Sequence, residues 1–339
     1  MRFNFARVVV TCVILFGTSF PAMAEEMTLF RIGTGGVGGT YYPIGKAMAR
    51  TISNPLNKTD CTPDPCGVPY LLAVAQTANG SVSNIEDIQT GKIESGLSQS
   101  DIAYWAQSGT GIFRDRGPFQ DIAAIASLYQ EDIHLVARKG SGIESVSDLR
   151  GRRVSLDDPG SGTLVDARVI LDAFGVRESE FEAQYVKAAD AIKKMRAGEL
   201  DAFFLVAGSP SKAITELSDE NLITLVPIDG PVATMLTREN TFFSTTVIPS
   251  DSYHGIDAVR TLGVSALWIV NKKQSEDEVY EITKRFWRNL PEIQKMNLHP
   301  KLSKISLNSA FASMSVPLHP GALKFYREIR DAVANADSN

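Results

Sequence analysis

Apolar and polar positions along the chain repeat one unit: a short apolar run, a loop rich in Gly, Ser or Thr, then apolar residues at helical spacing. The first unit is a strand at 29–32, a glycine loop, and a helix over 44–52 with Pro43 in its first turn. Strands follow at 70–75 and 95–97, helices at 84–90 and 102–107. The apolar runs 122–128 and 132–137 have no helix between them. A second series begins after Lys139: a helix at 146–149, a strand at 153–156, the loop Pro159-Gly160-Ser161-Gly162, and a helix at 164–174. It continues with strand 181–186, helix 189–197, strand 202–206 and helix 210–217. A buried strand at 264–270 and helices at 276–290 and 322–334 close the pattern. Such alternation predicts an α/β fold with parallel sheets and helices on their faces. The apolar strands bracketing the second series suit a chain that crosses to another lobe and returns. One lobe is therefore expected from residues 25–131 and 271–339, the other from 139–263, with hinge strands at 132–138 and 264–270.

The first 24 residues modify this picture. Arg2 and Arg7 precede an apolar run over 8–16, and Ala22-Met23-Ala24 supplies small residues. This reads as a secretory signal peptide cleaved after Ala24, which places the mature chain in the periplasm. Two cysteines remain, Cys61 and Cys66, in a Pro-rich loop. In an oxidising compartment they are expected to form one local disulfide worth about 2 kcal/mol, with free thiols or a metal as the alternatives. The formal charge is −5, and the leader carries two arginines and no acids, so its removal leaves −7. An acidic chain without a basic block argues against nucleic acid as a partner. A monomer is expected.

The loop Gly33-Thr34-Gly35-Gly36-Val37-Gly38 matches G-x-G-x-x-G, yet the strand ending at residues 75–77 offers no acid to hold a ribose. A dinucleotide site is set aside, and no cofactor is expected. Glycines and a helix N-terminus instead suit an anion. Thr40 is placed to cap the first helix. Of Tyr41 and Tyr42, one is expected in the core and one in a cleft. Thr163 and Asp166 fit a capping box, and Ser209-Pro210 fits N-cap and first helical position. Asn79-Gly80-Ser81, Ser98-Gln99-Ser100-Asp101 and Gly208-Ser209 make further strand-to-helix turns. Capping explains each alone, but in a parallel α/β sheet such turns share one edge, where ligands bind. Asp157-Asp158 reads as readily as a solvated turn. His134, His254, His299 and His319 are scattered, and no nucleophile elbow or metal pair is present, so an enzyme is not expected.

The stretch Gly35-Gly36-Val37-Gly38-Gly39-Thr40-Tyr41-Tyr42-Pro43 resembles the opening motif of the TAXI family of solute receptors. These are the periplasmic binding proteins of one branch of the TRAP (tripartite ATP-independent periplasmic) transporters. The closing Leu318-His319-Pro320-Gly321-Ala322-Leu323-Lys324-Phe325-Tyr326-Arg327-Glu328 is similar too, and looser likeness lies between. The resemblance implies a two-lobe, type II-like periplasmic-binding-protein fold with a hinge between two parallel or mixed-sheet domains. It implies lobe closure on a small anionic or zwitterionic metabolite, glutamate or a related amino acid or dicarboxylate, and delivery to TRAP membrane subunits. The expected ligand-binding residues are Gly36, Gly38, Gly39, Thr40, Tyr41, Tyr42, Asn79, Ser81, Ser100, Asp101, Ser161, Gly162, Thr163, Gly208 and Ser209. A receptor serving a membrane sensor is the nearest alternative; an exported α/β hydrolase or transferase is one from another class.

Overall fold

The computed structural model describes residues 26–60 and 66–336. The expected leader with its cleavage site, and Cys61 of the expected disulfide, lie outside the described residues. The first series comprises β1 Thr28–Gly33, α1 Tyr41–Ile52, the short β2 Ser53–Asn54 and β3 Val68–Pro69, β4 Leu71–Gln76, α2 Ser81–Gln89, β5 Ser95–Gln99 and α3 Ser100–Ser108. The long β6 Ile122–Arg138 leads to β7 Arg153–Ser155, α4 Gly162–Ala173, β8 Glu182–Gln184, α5 Ala188–Arg196, β9 Ala202–Ala207 and α6 Lys212–Asp219. Then come β10 Ile223–Val226, α7 Gly230–Glu239, β11 Ser244–Ile248, β12 Val259–Asn271, α8 Glu276–Lys295 and α9 Pro320–Ala336. None of the described helices is long and apolar enough to cross a membrane.

One mixed sheet in the order β4-β1-β5-β12-β6-β9-β7-β8 runs through the molecule. β1 is parallel to β4 and β5, and β7 is parallel to β8 and β9. Antiparallel β6 and β12 join the two sets. β6 pairs with β12 from Ile122 to Asp132, and from Asp132 to Ala137 it pairs with β9 on its other edge. β12 pairs with β11 up to Gly263 and with β5 from Ala266. The change of partner therefore falls at Asp132 and between Gly263 and Ala266. The two apolar runs expected at 122–128 and 132–137 form one unbroken strand. Their polar divider does not break it because Gln130 Nε2 donates to Ser244 Oγ (2.6 Å) and Glu131 accepts from Tyr41.

Period-two alternation explains the layers. On β12, Trp268 and Val270 face a core with α1, α8 and α9, while Leu267 and Ile269 face α2 and α3. On β9, Phe204 and Val206 pack with Ile170 of α4, and Phe203 and Leu205 with Ile192 and Ile214 of α5 and α6. Each such side chain, fully buried, contributes about 1.5–3 kcal/mol. α8 buries Val279, Ile282, Phe286, Leu290 and Ile293, an i, i+3, i+4 stripe, and Ser275 Oγ caps it by accepting from Glu278 N (3.1 Å). This stripe carries α8 through Pro291, past the end expected at residue 290.

Candidate functional site

Between the two halves lies a cavity of about 190 Å³, and the strand-to-helix turns of both series line it. Gly36 to Tyr41 form one wall, with Asn79, Ser81 and Gln99 beside them. Ser161, Gly162 and Thr163 face them, with Asp157, Asp158 and Lys187. The N-termini of α1, α2 and α4 converge here, each offering N–H groups unsatisfied within its own helix.

The halves touch. Thr40 Oγ1 donates to the Gly208 carbonyl (3.2 Å), and Ala213 N–H donates to the Gly38 carbonyl (3.3 Å). Asn79 Nδ2 donates to Pro159 O (3.1 Å), Ser83 N–H to Gly160 O (3.0 Å), and Lys187 Nζ to Asn79 Oδ1 (2.7 Å). The tightest fit is at Gly162, where a Cβ would lie 1.4 Å from Gln99 Oε1. Any larger residue would have to displace the buried Gln99 amide for α4 to approach the end of β5 this closely. The cleft is closed.

A hydrogen-bonded chain organises its floor. Gln99 N–H donates to Ser81 Oγ (3.1 Å), which lies 3.3 Å from Tyr41 Oη, and Tyr41 donates to Glu131 Oε2 (2.8 Å). Because the phenol's proton goes to Glu131, the Ser81 hydroxyl donates to the phenol oxygen. Burial pushes the Glu131 carboxyl up to about 8, against the lowering effect of Tyr41. Asp157, in left-handed backbone at φ 75°, is raised by burial to about 7. Lys187 Nζ stands 3.6 Å from Asp158 Oδ2. The lining thus combines amide donors with three acids and one cation.

Ten of the residues expected from sequence line this cavity: Gly36, Gly38, Gly39, Thr40, Tyr41, Asn79, Ser81, Ser161, Gly162 and Thr163. Tyr42, Ser100, Asp101, Gly208 and Ser209 do not. The Tyr42 ring points away, with Lys46 Nζ 5.7 Å from its centre. The tyrosines do not divide as expected, since Tyr41 is both buried and cleft-lining. Ser100 Oγ accepts from Ser265 N–H (3.3 Å) behind the cavity. Gly208 contributes only its carbonyl to Thr40. Ser209 Oγ donates to Asp132 Oδ2 (2.6 Å) near His134, and α6 starts two residues after Pro210 with Ser211 at its N-cap, so Ser209 is not the cap.

Two further cap assignments change. The Thr40 hydroxyl makes no cap bond, because it crosses to the other half. At α4 the cap is Ser161, which accepts from Leu164 N–H (3.1 Å); Thr163 accepts from Val206 N–H (3.0 Å), so there is no Thr163–Asp166 box. Thr163 keeps its hydroxyl proton for another acceptor, whereas that of Thr40 goes to the Gly208 carbonyl and that of Ser161 to the Asp157 carboxylate. Sequence reasoning missed Gln99, Glu131 and Lys187 and left Asp157-Asp158 as a solvated turn. Their one signal was position: charged or amide residues at a strand end, or interrupting an apolar strand.

Residues 32–329 match the NMT1-like family. A solved structure from Bordetella bronchiseptica is similar at 15% identity over 88% of each chain, with TM-score 0.51. The periplasmic aliphatic sulphonate binding protein SsuA from Escherichia coli is 14% identical over 88% of this chain and 77% of its own, TM-score 0.47. A histidine-bound ABC uptake transporter substrate binding protein from Streptococcus pneumoniae is 14% identical over 83% of this chain and 94% of its own, TM-score 0.46. At these identities the likeness, carried by the Bordetella structure, is one of fold alone: a mixed α/β architecture.

Proposed function

The chain belongs to the NMT1-like family, and we propose that it is an extracytoplasmic solute receptor that closes its lobes on a small zwitterionic metabolite and hands it to membrane transport subunits. The observation that carries this reading is the closed cavity walled by strand-to-helix turns from both lobes, Gly36–Tyr41 on one side and Ser161–Thr163 on the other. The hinge is the stretch where β6 and β12 change partners, at Asp132 and between Gly263 and Ala266. Closure there is a rigid-body swing of one half of the sheet against the other.

Ligand class follows from the balance of groups. Helix N-termini attract a carboxylate, but each is worth only about 0.3–2 kcal/mol, whereas micromolar affinity needs about 8. The remainder comes from the free hydroxyl donor of Thr163, loop amides and exclusion of water. Asp157 and Asp158 supply acceptors for an ammonium group. Arg31 and Arg168 are engaged elsewhere, with Glu94 and Glu178. An amino acid such as glutamate or glutamine therefore suits the cavity better than a plain dicarboxylate. The glycine-loop motif favours a TAXI-type receptor feeding a TRAP transporter over one serving a sensor. Calorimetric titration with glutamate, glutamine, 2-oxoglutarate and succinate tests the ligand class: the two amino acids should bind, and succinate least. Silence of both amino acids alongside tight binding of a neutral sugar would sink it.

A further inference from the structure

We propose that Asp101 and Asp166 share one proton across the boundary between the lobes, and that this proton is taken up when the cleft closes and released when it opens. Asp101 lies in the first turn of α3, in the first lobe, and Asp166 in the second turn of α4, in the second lobe. Both are completely buried, and no other side chain hydrogen-bonds any of their four carboxylate oxygens. They meet because α4 is drawn onto the first lobe at two neighbouring points. Gly162 abuts Gln99, and Val165 packs among Ile85, Ile102 and Ile269.

Two ionised carboxylates cannot stay side by side in a dry interface, since each would carry an unpaired buried charge and repel the other. One proton resolves both problems by making an O–H···O⁻ bond between them. The surroundings decide which residue holds it. Asp101 faces the N–H groups of Asp101 and Ile102 at the start of α3, which favour its anion. Asp166 has no such donors and faces Asp101 and, from β6, Glu131. Among the described residues, no cation acts on either carboxylate. Burial raises both, Asp166 well above the usual range. Asp166 is therefore the donor and Asp101 the acceptor.

Opening separates α3 from α4 and returns both groups to water, where they ionise near pH 4. The closed state binds one proton more than the open state at any pH between that value and the raised one. Rising pH therefore disfavours closure, by up to tenfold per pH unit for one linked proton. The inference takes from the receptor reading only that the lobes open and close.

Small-angle X-ray scattering of ligand-free protein between pH 5.5 and 8.5 tests it without any ligand. Wild type should be more compact at the acid end. Asp166→Asn, whose amide donates to Asp101 without titrating, should stay compact throughout. Should Asp166→Asn fail to fold, Asp101→Asn combined with Asp166→Asn serves the same purpose. Where L-glutamate binds, calorimetry in two buffers of different ionisation heat at pH 7 should count about one more proton taken up by wild type than by the variant. Wild type and variant responding alike to pH in the scattering series would overturn the shared proton. Failure of glutamate to bind would overturn only the ligand assignment.

Discussion

The two strand–glycine loop–helix units, β1 to α1 and β7 to α4, are built alike at one end and differently at the other. Each strand carries an arginine clamped by a carboxylate. Arg31 donates N, Nε and Nη2 to Glu94 at 2.6–2.9 Å. Arg153 does the same to Asp201 at 2.8–3.1 Å, with Arg138 adding a third side-chain donor. This fork fixes where each strand sits. At the helix end they diverge. Ser161 completes its own helix by capping α4, while Thr40 leaves α1 uncapped and gives its hydroxyl to Gly208 in the other lobe. One unit is finished locally; the other is finished by a bond to the opposite half. Identical layouts in sequence thus hide different partners in space.

Four substitutions probe that difference. The largest effect is expected from Gly162→Ala, whose Cβ collides with Gln99 only when the lobes meet. Overpacking of this kind costs about 1–3 kcal/mol or more, so glutamate affinity should fall roughly a hundredfold while unliganded stability holds. Equal binding would show that α4 does not approach β5 in the working closed state. Next, Asp201→Asn should destabilise the protein by about 2 kcal/mol in urea, at the modest end for charged hydrogen bonds because the arginines are one-third exposed. The Arg153 guanidinium, with Arg138, holds this carboxyl well below the usual range. Its stabilisation is therefore present at neutral pH and lost as pH falls below about 4, and the gap between wild type and variant should narrow there. Ser161→Ala should cost about 1 kcal/mol with or without ligand, measured by chemical denaturation. Thr40→Val should leave unliganded stability unchanged and weaken binding only a few-fold, as one neutral hydrogen bond contributes about 0.5–1.5 kcal/mol. A stability loss in Thr40→Val matching that of Ser161→Ala would erase the distinction.

The sequence carried the architecture further than the site. Strand–helix alternation was legible because each layer's side chains obey a fixed period, and most turns that line the cavity were legible from glycine and hydroxyl residues at strand ends. Residues 223–248 were not: β10, α7 and β11 are short, and the core residues this stretch supplies, such as Val226, Leu236 and Phe243, follow no single period. Glu131 was hidden for a different reason. An acid within an apolar strand reads as a break until Tyr41, ninety positions earlier, supplies its partner. The same non-local logic misassigned Thr40 and Thr163, whose hydroxyls fit local caps on paper and bond to Gly208 and Val206 in space.

The single sheet also governs how the chain can fold. Ser95 pairs with Val270 and Ile122 with Asn271, so the middle of the first lobe is filled by a strand synthesised far later. Until residue 271 is available, β5 and β6 expose bare edges that invite pairing with other chains. High contact order of this kind slows folding, and the N-terminal lobe cannot mature ahead of the C-terminal one. A chain cut short before β12 would be an aggregation hazard rather than half a receptor.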